Sequence, residues 1–220
     1  MVFSLEQRRN RIFVLVSPIL IILLGYLGTK LCYLYLKEWT WIVTAVLYWT
    51  LMGSMLFIFC TKEDVKGWFQ KGKQSKPLFF LAVLIGIFPI LGILLLNYDL
   101  LIEYPSYILY WILFACINPL FEEGYWRGLV FDAGKGFSKS VVIIYSTLLF
   151  VVSHPMMWGV FSIANRSNQL YISLFIMGIV WSVIRLKTNS LRYSLFAHFL
   201  VDIGNMTVYV FLNLYIPPQM

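Results

Sequence analysis

The sequence predicts an all-α integral membrane protein, folded as a polytopic bundle of about seven transmembrane helices. Of its 220 residues, 60% are hydrophobic and only 12% are charged, whereas a soluble domain carries about 25% charged residues. Several apolar runs reach the roughly 18–20 residues that a helix needs to cross a bilayer. The connections between these runs are short except for 61–77, so the pattern predicts a single domain over residues 1–220.

Seven apolar runs are the predicted spans. The first follows a basic cluster and lacks a small-residue cleavage site, so we interpret it as an uncleaved span and not as a signal peptide. The second and third flank the basic loop 61–77, and the sixth is apolar up to Arg185. The fourth, fifth and seventh each contain ionisable side chains. The predicted spans are 13–36, 40–60, 78–97, 106–126, 140–158, 169–186 and 192–212.

The distribution of lysine and arginine predicts that the N-terminus lies in the cytoplasm, because cytoplasmic loops carry an excess of these residues. With this orientation, 14 of the 17 basic residues lie on the cytoplasmic side, and only Lys30, Lys37 and Arg166 lie outside. The C-terminal tail at Pro217 and Pro218 would also lie outside. Topology thus accounts for the net charge of +7, so the bilayer is a predicted partner and nucleic acid is not.

Cysteine usage indicates neither a disulfide framework nor a cysteine metal site. The three cysteines, Cys32, Cys60 and Cys116, lie in or at the end of apolar runs. An odd number without a CxxC pair fits no such framework. We interpret them as small buried hydrophobic residues.

Three sets of ionisable side chains lie within or at the ends of predicted spans. Such groups are rare at membrane depth because they are costly to bury, and by default they indicate a functional site. We therefore expect the three spans to meet in one polar cavity. The sets are Glu122, Glu123 and Arg127 in the fourth span, His154 in the fifth, and His198 and Asp202 in the seventh.

The spacing within each set predicts which side chains share a helix face. Glu123 and Arg127 are four residues apart, with the acid on the N-terminal side, which is the better order for an ion pair. Glu122 projects about 100° away from Glu123, so the two carboxylates are expected to meet different neighbours. Two further pairs have the same spacing of four, Phe150 with His154 and His198 with Asp202.

Together these motifs resemble the CPBP family, which comprises the CAAX-protease and bacteriocin-processing (Abi) intramembrane proteases. This family is related to type II CAAX prenyl endopeptidases and to lysostaphin-resistance-protein-A-like proteins. One motif alone would be weak evidence, whereas three in order are specific, and they cover approximately residues 106–212. The motifs are Glu122-Glu123-x-x-x-Arg127, Phe150-x-x-x-His154 and His198-x-x-x-Asp202. Asparagine is common at the last position in the prenyl-endopeptidase branch, whereas this chain has aspartate.

The resemblance implies a membrane-embedded endopeptidase with an active-site cavity inside the bundle. Glu122 and His154 would hold and deprotonate the attacking water, and His198 would donate to the oxyanion. Asp202 is left with three roles: a protonated donor, a residue that orients His198, or a metal ligand. The catalytic candidates are Glu122, His154, His198 and Asp202, and the supporting candidates are Glu123, Arg127 and Phe150.

Metal dependence is left open by the sequence. The family that the chain resembles is often called a metalloprotease family, and glutamate-only mechanisms are also proposed for it. Glu122, His154 and His198 would give three ligands with an open position for water, which suits catalytic zinc. Zinc is therefore the one candidate cofactor, although no HExxH pair is present.

Three classes of function fit these residues. The leading one is an endopeptidase that hydrolyses a membrane-associated protein or peptide, in CAAX-type or bacteriocin processing. We expect cleavage near the cytoplasmic side, because the first motif ends the fourth span there. The alternative is a non-catalytic immunity or scaffold protein that binds a partner in the same cavity. A transporter is disfavoured because the chain lacks paired broken segments in two matching halves. The plasma membrane of a bacterium is the expected location. The sequence predicts no particular oligomeric state.

Overall fold

The computed structural model describes residues 5–73, 75–88 and 90–216. Within these residues the chain is helical and forms no β-strand, which confirms the all-α prediction. The predicted outer tail at Pro217 and Pro218, and the side chains of Arg8 and Arg9, lie outside the described part.

Twelve α-helices make up the described residues, with short 3₁₀ turns between several of them. A π-helical segment, Glu123–Leu129, lies between the seventh and eighth helices. The helices are α1 (Leu5–Leu36), α2 (Thr40–Phe59), α3 (Lys62–Trp68), α4 (Lys76–Ile87), α5 (Leu91–Leu96), α6 (Asp99–Glu103), α7 (Ile108–Glu122), α8 (Val130–Ala133), α9 (Lys139–Met157), α10 (Asn168–Thr188), α11 (Arg192–Gly204) and α12 (Thr207–Phe211).

The long helices pack as a closed ring. Helix α1 lies between α2 and α9, and α2 continues the ring to α7, which packs against α11. Helix α11 packs against α4, α4 against α10, and α10 against α9, which closes the ring. Helix α12 lies against α7, so the end of the chain returns to the helix that carries the two glutamates.

Each predicted span corresponds to a helical segment. Three described stretches are long and apolar enough to cross a membrane: 10–59, which contains α1 and α2, then 139–160 and 168–188. The third predicted span is broken between Ile87 and Leu91, and the seventh is broken at Asn205 and Met206, where Met206 has a φ of 49°. The total of seven membrane crossings therefore stays a prediction.

The fourth helical segment extends further than predicted. Helix α7 continues through the π-helical segment into α8 and ends at Ala133. Most of the added residues are apolar and buried, among them Leu129, Val130 and Phe131. Continuing the helix therefore buries side chains that a loop would expose to water. Glu122 consequently lies in the middle of a continuous helical segment that runs past the predicted span 106–126.

A proline within α1 shows how the sequence compensates for a missing backbone donor. Pro18 has no N–H, so the carbonyl of Val14 would lack its usual helical partner. The hydroxyl of Ser17 donates to that carbonyl at 2.8 Å. The Ser17 hydroxyl also lies 2.6 Å from the hydroxyl of Tyr125, which joins α1 to the π-helical segment.

Candidate active site

The ionisable residues meet at a cavity of about 160 Å³ inside the helix ring. Its walls come from α5, α7, α9, α10, α11 and α12. Glu123 and Arg127 lie behind the wall and are almost completely buried, with 0% and 1% of their surface exposed. The predicted site residues that line the cavity are Glu122, Phe150, His154, His198 and Asp202.

His198 joins the two glutamates. Its Nδ1 lies 3.0 Å from Glu123 Oε1, and its Nε2 lies 3.3 Å from Glu122 Oε2. Ionised carboxylates only accept hydrogen bonds, so a ring that carries both protons satisfies both contacts. The two carboxylates thus share this imidazole, and each also has a neighbour of its own, Asn118 for Glu122 and Arg127 for Glu123. The ring of Trp181 packs beside His198 with centroids 5.4 Å apart and limits its tilt.

Glu123 and Arg127 form a buried ion pair behind His198. Arg127 donates from one guanidinium nitrogen to Glu123 Oε1 at 3.0 Å. The guanidinium also lies 4.3 Å from the ring centroid of Phe150, within the range of a cation–π contact. Because Glu123 Oε1 holds both Arg127 and His198, this pair fixes the position of the imidazole. Phe150 in turn packs edge-on against His154.

Glu122 is held through one of its two oxygens. Its Oε2 accepts from Asn118 Nδ2 at 3.1 Å, in addition to facing His198. Asn118 Nδ2 also donates to Asp202 Oδ2 at 3.2 Å, so a single amide connects two carboxylates. Glu122 Oε1 is buried and has no hydrogen-bond partner among the described residues. A buried acceptor without a partner is unfavourable, so this oxygen is suited to a bound water or a substrate.

His154 faces the cavity separately from the glutamate cluster. Its Nδ1 lies 2.9 Å from the backbone carbonyl of Phe150. Carbonyl oxygens only accept, so Nδ1 carries the proton in the neutral ring and Nε2 is left with a free lone pair. The structure gives no direct hydrogen bond from His154 to a carboxylate of the described residues. The predicted cooperation of His154 with Glu122 would therefore need a molecule between them.

The predicted zinc ligands do not fit a metal ion in this arrangement. Both nitrogens of His198 already face carboxylate oxygens, and His154 lies apart with Nδ1 on a carbonyl. Among the described residues, no group of three or more His, Cys, Asp or Glu side chains is placed to hold a metal ion. We therefore derive no chemical step through zinc.

Sequence reasoning missed the residues that orient these groups. Asn118 lies four residues before Glu122 on the same helix face, a spacing that could have indicated it. Trp49 Nε1 donates to Asn118 Oδ1 at 3.0 Å. Tyr48, fully buried next to Glu122, accepts from Trp126 Nε1 at 3.0 Å. Tyr48 and Trp49 belong to α2, far away in sequence, and no motif distinguishes them from other apolar residues.

Comparison with known proteins finds a family match in the part of the chain that carries the predicted site residues. Residues 104–204 match the family model described as type II CAAX prenyl endopeptidase Rce1-like. No curated protein and no solved structure matches the chain. The matched range contains all seven predicted site residues and also Asn118, whereas α1 to α6 precede it. The family consists of CAAX-type intramembrane proteases, which act on peptides or proteins.

The matched range contains the three helices that carry the motifs. The three helices that carry Glu122, His154 and His198 all fall within residues 104–204 and converge on one cavity. The apolar helices around them are those of an integral membrane protein. The matched range contains all three motifs in order, and the match supports assigning the chain to the CPBP family of CAAX-type intramembrane proteases.

Proposed function

We propose that this protein is an intramembrane endopeptidase in which Glu122 activates the attacking water. The observation that carries the proposal is the asymmetric support of its carboxylate. Oε2 is held by Asn118 and His198, while the buried Oε1 has no hydrogen-bond partner among the described residues. A carboxylate that lines the cavity and is fixed through one oxygen, with its other oxygen left without a partner, suits the role of a general base.

In this mechanism Glu122 Oε1 takes a proton from water as the water oxygen attacks the carbonyl carbon of the peptide bond. Collapse of the tetrahedral intermediate breaks the C–N bond, and the proton passes to the leaving amine. His154 has a free Nε2 on the cavity wall, so we assign it to hold the water or the leaving amine. Each of these proton transfers requires only groups on the chain and the water itself.

His198 receives a different role from the one that its motif first suggested. Both of its nitrogens face glutamate oxygens, so neither is directed at the position of an oxyanion. We propose that His198 is a positioning residue that holds Glu122 in place. Glu123 and Arg127 then support His198, and Asp202 accepts a hydrogen bond from the second N–H of Asn118.

The test is a substitution that preserves shape and removes the base. Glu122→Gln should lower cleavage about 10²–10⁴-fold, the range for loss of a general base, while the protein remains folded. Purified protein and the Gln variant would be incubated with a library of membrane-protein peptides, and new termini identified by mass spectrometry. Glu63→Gln is the matched control, because Glu63 is exposed on α3, outside the cavity. Full cleavage by Glu122→Gln would refute the hydrolase mechanism and favour the scaffold function.

A further inference from the structure

The two ends of the bundle differ in charge and in packing. One end, here called the basic end, contains α3 and the connections around 133–139 and 188–192. Arg11 donates to the carbonyl of Ala133 at 2.9 Å, and Arg192 donates to the carbonyl of Phe69 at 2.7 Å. These contacts bring together the basic N-terminal region, the lysine-rich loop and the Arg185–Arg192 region.

The opposite end, here called the far end, is formed by the segments 104–107, 158–167 and 204–215. Tyr209 donates to the carbonyl of Tyr104 at 3.0 Å, and Asn213 donates to the carbonyl of Phe161 at 2.8 Å. The far end carries few basic residues, with Arg166 among them. By the positive-inside rule the basic end faces the cytoplasm and the far end faces the other side.

The route from Glu122 to the basic end is closed. Trp126 and Leu191 are completely buried, and Arg127 is 1% exposed. Trp68 packs so closely on Gly128 that a Cβ there would lie 2.9 Å from its ring. None of the residues that line the cavity comes from 123–149 or from 182–197.

The route from Glu122 to the far end is open and follows one face of α10. Four residues of α10 line the cavity at intervals of four. They are Trp181, which lies beside His198, and then Met177, Ser173 and Gln169. This spacing keeps them on one helix face, and the distance from Trp181 to Gln169 is about 18 Å along the axis. Gln169 is exposed at the start of α10, so the cavity reaches the surface there.

The lining of this route suits an extended polypeptide. Polar side chains that can pair with a peptide backbone lie along it, and apolar residues of α5 and α12 form the facing wall. Glu122 and Asp202 are its only Asp, Glu, Lys or Arg residues among the described lining residues. Among these polar residues are Asn165, Ser167, Gln169, Ser173, Asn205 and Thr207.

We infer that the cavity is reached from the far end, so the protein takes peptide segments presented on the non-cytoplasmic side of the membrane. This inference rests on the proposed endopeptidase function for its substrate and on the charge distribution for its side. It replaces the expectation of cleavage near the cytoplasmic side, which rested on the first motif lying at the cytoplasmic end of its span. The substrate is an uncharged polypeptide segment that enters extended along α10 toward Glu122.

Cysteine labelling tests this access without requiring activity. Single cysteines would be placed by Gln169→Cys at the opening and Ser173→Cys one turn deeper, in a chain whose Cys32, Cys60 and Cys116 are replaced by serine. Intact cells would be treated with a membrane-impermeant maleimide. Both positions should be labelled from outside, with Ser173→Cys reacting at least threefold more slowly.

Two controls make the result decisive. Phe175→Cys lies two residues beyond Ser173 on the exposed outer surface of α10, and should stay unlabelled because a thiol in lipid does not ionise. Lys71→Cys at the basic end should react only in inside-out vesicles. Labelling of Ser173→Cys only in inside-out vesicles would overturn the inference. Because the Glu122→Gln chain can be labelled in the same way, a failure of the proposed catalysis would be distinguished from a failure of the access route.

Discussion

The two parts of this chain contribute different kinds of group to the site. The part that matches the family supplies the acids and bases, including Glu122, His198 and Asp202. The preceding part supplies neutral hydrogen-bonding aromatics, of which Trp49 and Tyr48 on α2 reach the site. The reacting groups and the groups that orient them therefore need not lie in the same recognisable region.

Trp49 illustrates how a neutral residue can set the arrangement of charges. An indole N–H only donates, so the atom of Asn118 that faces it must be the carbonyl oxygen. The amide nitrogen of Asn118 is thereby turned toward the carboxylates of Glu122 and Asp202. If the amide were reversed, its oxygen would face two carboxylates that also only accept. Trp49 therefore fixes the amide in its only favourable orientation.

The largest effect is expected in the matched part, from Arg127→Ala. The change removes the cation of a buried pair and leaves Glu123 with His198 alone. Stranding one member of a buried pair destabilises a protein by about 3–5 kcal/mol. Arg127→Ala should therefore lower both the yield of folded protein after detergent extraction and the activity. Thermal unfolding, monitored by size-exclusion chromatography, would measure the change in stability.

Arg127→Lys is the matched variant for this prediction. It keeps the positive charge but lacks the planar guanidinium that packs on Phe150 at 4.3 Å. Its loss of stability should be smaller than that of the alanine variant. Equal stability of wild type and Arg127→Ala would contradict the assignment of Glu123 and Arg127 as a structural support.

A smaller effect, confined to the rate, is expected from Trp49→Phe in the unmatched part. Phenylalanine keeps an aromatic ring beside Phe114 and Phe121, which pack against Trp49, but removes the N–H. Without that donor the Asn118 carbonyl loses its partner, so the amide is held less firmly against Glu122. Loss of one hydrogen bond corresponds to about a tenfold change at most. We expect kcat to fall about tenfold while KM and the unfolding temperature change little.

Two further variants separate orientation from packing. Trp68→Phe makes the same chemical change at another indole that donates to a side chain, Asp132 Oδ2 at 2.8 Å, and should leave kcat unchanged. In an Asn118→Ala background, Trp49→Phe should cause no additional loss, because coupled residues are not additive. Additive losses in the double variant would show that Trp49 acts on the site by another route.

The same comparison explains what the sequence could predict. Ionisable residues inside apolar runs are conspicuous, so the helices that meet at the cavity were predictable from Glu122, His154 and His198. The helix continuation to Ala133 was not, because the apolar residues after Arg127 are equally compatible with a loop in a single-sequence pattern. The shared contact of both glutamates with His198 depends on how α7 and α11 pack, and local spacing does not encode that. Trp49 carries no signal because aromatic residues are common in membrane helices.

The smallest effect is expected at Asp202. Asn118 accepts a hydrogen bond from Trp49 of the unmatched part and donates one to Asp202 of the matched part. Asp202 Oδ2 accepts from Asn118 at 3.2 Å, and Oδ1 lies 3.5 Å from the Thr207 hydroxyl. Asparagine at this position can still accept from Asn118 with its oxygen, while its amide donates to the hydroxyl of Thr207. Asp202→Asn should therefore retain kcat/KM within about threefold, a smaller change than the loss of a whole hydrogen bond would cause.

Asp202→Leu has a similar volume but no acceptor, so it leaves an N–H of Asn118 unpaired and should reduce kcat/KM more strongly. Measuring both variants with and without a chelator decides the role of the residue. A large loss in Asp202→Asn that matches the effect of the chelator on wild type would show that the carboxylate binds a metal, contrary to the arrangement seen here.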